Sequence, residues 1–163
     1  MPVTSDIAAT YRGPGRVMSK MLQAGEREDR ALILVMAFCL LAFVAQLPSL
    51  AREAYEQQVE LNALLGGALL GTVFMSPLIL YLLAALSHVV ARLVGGKGTW
   101  YTARLALFWS LLATAPILLL HGLMAGFIGP GPVLTGAGAV WAAVFFWFWL
   151  GCMRQAERAS DEI

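Results

Sequence analysis

Three long stretches of this chain carry no formal charge. No Asp, Glu, Lys or Arg stands between Arg30 and Arg52, between Glu60 and Arg92, or between Arg104 and Arg154. A helix needs about 20 apolar residues to cross the core of a bilayer. The first two stretches each fit one crossing and the third fits two, divided by "GPGP" at Gly129 to Pro132. Pro and Gly in alternation cannot sustain helical hydrogen bonding, so the chain turns there. Four spans are predicted, at about 31–50, 61–91, 104–128 and 133–153. An open sheet is excluded at that depth, because every backbone N–H and C=O must be paired inside lipid. A β-barrel would show alternating segments, which are absent. Composition agrees: 13% of residues are charged, against about 25% in soluble domains. The fold class is all-α, a polytopic membrane protein with four transmembrane helices in an antiparallel bundle. The organisation reads as an N-terminal segment 1–30, a membrane domain 31–153 and a tail 154–163.

Orientation follows from the basic residues, which stay cytoplasmic. Of the 11 Lys and Arg, only Arg52 falls on the side of the loop between spans 1 and 2. Both termini and the loop between spans 2 and 3 are therefore expected in the cytoplasm. Compact loops point to a bacterial inner membrane. The first apolar run follows 30 residues with four acids, a poor secretory n-region, so span 1 is read as retained. Before it, "RVMSKMLQAG" places Val17, Met18, Met21 and Leu22 on one helical face, with Arg16, Lys20 and Gln23 on the other. Pro14 suits the start of this helix and Gly25 its end. Two arrangements fit: an interfacial helix with its apolar side in the acyl boundary, or one packed on the cytoplasmic ends of the spans. Thr4 or Ser5 could cap a further short helix before it. Cys39 and Cys152 sit in or at the end of spans and read as small buried hydrophobes, with no disulfide framework.

The loop "LVGGKGTW" imitates a phosphate-binding loop without being one. Walker A reads GxxxxGK[ST] after a strand; here Gly98 follows Lys97, Ala91 takes the first glycine position, and no strand precedes. No nucleotide is expected. Gly95 and Gly96 suit the end of span 2, since glycine adopts the left-handed conformation there. Trp100 and Tyr101 read as interface anchors. The longer stretch "LVGGKGTWYTARLALFWSLLATAPILLL" resembles the central part of the Yip1 family of membrane proteins. Gly95, Gly96, Gly98, Arg104, Ala115 and Pro116 carry the resemblance: a glycine-rich turn, a basic residue several positions on, then a helix with a small-residue–Pro step. The resemblance covers about residues 10–150 and implies a membrane-embedded helical fold. Family members often have five spans, and four are counted here. Eukaryotic members are linked with small GTPases and vesicle traffic; the sequence here lacks their long cytoplasmic N-terminal region, so GTPase binding is not carried over.

Ionisable groups inside a membrane are functional candidates, and here they are His88 and His121. His88 belongs near the cytoplasmic end of span 2. His121 lies about 26 Å along the axis from Arg104, in the outer half, so the two cannot share a metal or haem. Either is read as a hydrogen-bonded or interfacial histidine, or as part of a proton relay or pigment site. Pro77 and Pro116 should kink spans 2 and 3, freeing the carbonyls of Val73 and Leu112, with Ser76 and Thr114 placed to satisfy freed groups. Two GxxxG patterns, Gly67/Gly71 and Gly122/Gly126, suggest close packing of spans 2 and 3 on the outer side. Phe145, Phe146, Trp147, Phe148 and Trp149 surround span 4, so some must face lipid or a partner.

No catalytic constellation, cofactor site, metal site or nucleic-acid surface is present in the sequence. The expected function is a non-enzymatic accessory factor acting through lipid, other membrane proteins or itself. The competing expectation is a small transporter, with Ser76, Tyr81, Thr114 and His121 lining a polar route.

Overall fold

The computed structural model describes residues 3–158 of the chain. Its helices are α1 (Val3–Thr10), α2 (Pro14–Gln23), α3 (Glu28–Gln57), α4 (Leu61–Leu69), α5 (Ser76–Leu93), α6 (Trp100–Ala113), α7 (Ala115–Phe127) and α8 (Pro132–Arg158). A π-helical turn, Leu70–Met75, joins α4 to α5. Three helices are long and apolar enough to cross a membrane: Glu28–Gln57, Leu61–Leu93 and Pro132–Glu157. Helices α6 and α7 pass the same test only as a pair, bent by 46° at their junction, and make a fourth crossing if the pair is one span.

Local chemistry explains the breaks. A capping box opens α6: Thr99 Oγ1 accepts the Thr102 N–H, and Thr102 Oγ1 accepts the Thr99 N–H. Pro116 ends α6 early, because its ring cannot continue the hydrogen-bond ladder. The Thr114 hydroxyl donates back to the Ser110 and Leu111 carbonyls, not to the expected Leu112. The chain has already turned at Thr114, so its side chain bonds within its own last turn. Pro77 is accommodated differently. The π turn lengthens the hydrogen-bond spacing to five residues, and Ser76 Oγ donates to the Gly71 carbonyl at 3.0 Å, not to Val73. Pro48 leaves α3 unbroken, so span 1 runs well past the expected residue 50.

Helix α6 is the axis of the bundle. Every residue from Tyr101 to Ala113 except Arg104 is buried, and α3, α5, α8 and α1 surround it. Tyr101, expected as an interface anchor, is therefore inside, whereas Trp100 remains exposed. Helix α7 packs mainly on α3. In α8, Phe148 and Cys152 face inward while Phe146 and Trp147 are exposed. Cys39 and Cys152 are free and buried.

The N-terminal helices dock on this core. Val17 and Met18 are buried, with Met21 and Leu22 packed alongside. The apolar side of α2 thus packs against protein, and the helix meets α8 where Pro14 and Gly15 lie beside Gly151 and Gln155. Trp109 Nε1 donates to Thr10 Oγ1 in the interior at 3.1 Å, and the Tyr11 hydroxyl donates to the Ala113 carbonyl at the α6 break. Lys20 pairs with Asp6 across the α1–α2 turn at 3.0 Å.

Candidate functional site

The glycine loop between α5 and α6 gathers four parts of the chain. Gly95 adopts a left-handed φ of 92°, ending α5 as a C-terminal glycine should. Beyond it the backbone opens toward α8. The Gly98 N–H donates to Glu157 Oε2 at 2.6 Å. A Cβ at Gly96 or Gly98 would collide with that carboxylate. These glycines therefore do cradle an anion, but the anion is the protein's own Glu157. Next along the loop, Thr99 Oγ1 donates to Glu26 Oε1 at 3.0 Å, joining the α2–α3 linker. Arg104 pairs with Glu28 at the start of α3, at 2.6 Å. The family-like positions Gly95, Gly96, Gly98 and Arg104 thus form a clamp tying α3, α5, α6 and α8 together at one end of the bundle. His88 adjoins it: the residue is buried, its ring lies 4.3 Å from Trp100, and its Nδ1 has no hydrogen-bond partner.

The opposite end has a smaller clasp. Arg52 Nη1 donates to the Gly126 carbonyl at 3.4 Å, near the C-terminus of α7, where a cation is favoured. A Cβ at Gly129, itself at φ 83°, would meet that guanidinium.

The two GxxxG patterns do not meet each other. Gly122 lies against the Ala45 backbone and Gly126 against Pro48, so both serve the α3–α7 contact. A Cβ at Gly67 or Gly71 would meet nothing within 4 Å. The expected packing of spans 2 and 3 through these glycines is therefore replaced by packing of spans 1 and 3. The bend at Thr114 carries α7 onto α3, where Ala45 and Pro48 offer little side-chain bulk.

The four residues expected along a polar route are scattered. Ser76 serves the π turn. Tyr81 packs edge-on against Phe108 at 4.9 Å, with the Arg104 guanidinium 6.0 Å from its ring. Thr114 is fully buried and bonded within its own helix. His121 lies beside Gly138 of α8 and lines a small cavity of about 210 Å³ with Gln46 and Ser49. Tyr81 lines a separate cavity of about 270 Å³; Ser76 and Thr114 line neither. Among the described residues, no three His, Cys, Asp or Glu come together as metal ligands.

Sequence reasoning passed over two polar residues. Gln46 Nε2 donates to Thr72 Oγ1 at 2.7 Å, bridging α3 to the π turn in mid-span. A search for formal charge skips an amide, yet a lone Gln in an apolar run is itself the signal. Glu157 falls within 154–163, the stretch read as a tail.

A glycine-clamped, all-helical bundle with three helices long and apolar enough to cross a membrane and one bent pair is that of a polytopic integral membrane protein. The Yip1 domain model matches residues 8–159, through every crossing and most of the N-terminal helices. The chain belongs to the Yip1 family. No curated protein and no solved structure matches it. The family is in general one of non-enzymatic membrane proteins.

Proposed function

We propose that this protein is an accessory factor that organises other components of the bilayer through contacts along its spans. The observation that carries the reading is the contrast between its helices. Helix α6 is sealed inside the bundle, while span 2 turns Leu78, Ile79, Leu82, Leu86 and Val90 outward. Such a surface is suited to lipid and to neighbouring spans, which in a membrane associate by packing and by small residues. Gly67 and Gly71, open on the same span, leave room for a close approach. The basic-residue count supports a cytoplasmic position for both termini and for the glycine clamp, and the compact loops support an inner-membrane location.

A permeation pathway would need Ser76, Tyr81, Thr114 and His121 on one route, and their dispersion argues against it. The test is reconstitution into liposomes with small-solute flux measured for the wild type and His121→Ala. The expected result is no flux above protein-free liposomes for either protein, with His121→Ala changing stability only. Wild-type flux that His121→Ala abolishes in a folded protein would overturn the proposal.

A further inference from the structure

A cavity of about 590 Å³ lies between α5 and α8, beside the glycine clamp. Its α5 wall runs from Leu83 to Val94, about 16 Å at 1.5 Å rise per residue. That wall is almost wholly apolar, and Leu86 and Val90 within it are exposed. The other wall is the last two turns of α8, and its polar groups come in a fixed order. Glu157 stands at the membrane face. Its Oε2 takes the Gly98 N–H, and its Oε1 is buried without a hydrogen-bond partner. Arg154 follows, exposed and without an ion pair among the described residues. Trp149 comes next, with Nε1 buried and no acceptor. Leu150 and Met153 fill the space between.

We infer that this groove binds one phospholipid with an amine headgroup, of the phosphatidylethanolamine type. The inference rests on the reading of the chain as a factor acting through bilayer contacts, and it names the lipid. The spacing along α8 matches the lipid's own order of groups. Glu157 to Arg154 is about 4.5 Å of axial rise, and Arg154 to Trp149 about 7.5 Å. An ammonium at Glu157 would then put the phosphate beside Arg154, where a guanidinium binds it well. The ester carbonyls would reach the depth of the Trp149 N–H, and an acyl chain would lie along Leu83 and Leu86. A buried carboxylate oxygen and a buried indole N–H are each costly to leave unpaired. A single zwitterionic amphiphile supplies an acid-seeking group, a base-seeking group and an acceptor in that sequence. Phosphatidylcholine has no N–H to give Glu157, and phosphatidylglycerol has no cation.

The experiment is native mass spectrometry of the purified full chain, titrated separately with phosphatidylethanolamine, phosphatidylcholine and phosphatidylglycerol of matched acyl chains. The proteins compared are the wild type, Arg154→Gln, Leu86→Trp, which fills the apolar wall, and Leu78→Trp as a control elsewhere on span 2. Thermal unfolding checks that each variant is folded; should Leu86→Trp not fold, Arg154→Gln decides alone. The expected result is one retained phosphatidylethanolamine, preferred over the other two lipids. Retention should fall about tenfold in Arg154→Gln, the worth of one charge-assisted hydrogen bond, and stay unchanged in Leu78→Trp. Equal retention of the three lipids, or wild-type retention in folded Arg154→Gln, would overturn the site. Either failure would remove the lipid site alone; failure of the broader reading would appear as solute flux in liposomes.

Discussion

Gly122→Ala is a sharp probe of the packing. Gly122 lies on α7 directly over the backbone of Ala45 in α3, and a methyl there would overlap the Ala45 carbonyl. The obstruction is main chain, so no rotamer change relieves it, and one helix must move away from the other. Overpacking of this kind costs about 1–3 kcal/mol, and a rigid backbone neighbour places Gly122→Ala toward the upper part of that range. At 1.4 kcal/mol per decade, about 2.5 kcal/mol is roughly a sixty-fold fall in the ratio of folded to unfolded protein. Gly67→Ala and Gly71→Ala form the internal control, because a methyl at either position would meet nothing within 4 Å. Those two substitutions should change stability by less than about 1 kcal/mol, the helix-propensity difference alone. The assay is reversible unfolding in mixed micelles with increasing anionic detergent, followed by tryptophan fluorescence. A neutral Gly122→Ala would refute the close α3–α7 contact. A Gly71→Ala as damaging as Gly122→Ala would restore the pairing of spans 2 and 3.

Other expectations follow from single contacts. Glu157→Ala strips the Gly98 N–H of its acceptor and should cost about 1–3 kcal/mol, with faster hydrogen exchange at Gly98 as the local readout. Gln46→Leu removes the bridge to Thr72 and should cost about 0.6 kcal/mol, the average for interhelical bonds in membranes, and at most about 1.7, read by the same unfolding assay. The Tyr11 phenol is raised above its ordinary value because burial disfavours the charged form. Its contribution is therefore complete below about pH 10 and is lost as pH rises through the raised value. Hydrogen exchange in α1 should accelerate above that range, and Tyr11→Phe should remove most of the pH dependence.

The crossings were legible because charge is expensive in lipid, and its absence marks each span with little ambiguity. The turns were legible for a similar reason: Gly129–Pro132 and the Gly95–Gly96 pair leave the backbone few alternatives. Partnership was less legible. Gly122 and Gly126 say that something comes close, but small residues carry no address, and the Thr114 bend chose α3 over span 2. Glycines around Lys97 say that an anion fits, while the anion itself stands on α8, about 60 residues further along. The amphipathic pattern of α2 is the same whether its apolar side meets lipid or protein, so only the packed structure separates the two. The π turn at Leu70–Met75 has no composition signature beyond the nearby Pro77, and the Gln46–Thr72 bond that braces it joins two residues neutral in any charge count.

The most direct measurement is the composition of the particle in its own membrane. The tagged chain would be extracted gently, its particle mass measured, and everything retained with it identified. A stoichiometric companion, protein or specific lipid, on the exposed surface of span 2 or α8 is the expected result. A bare particle that retains neither, and that carries a solute across liposomes on its own, would contradict the proposal.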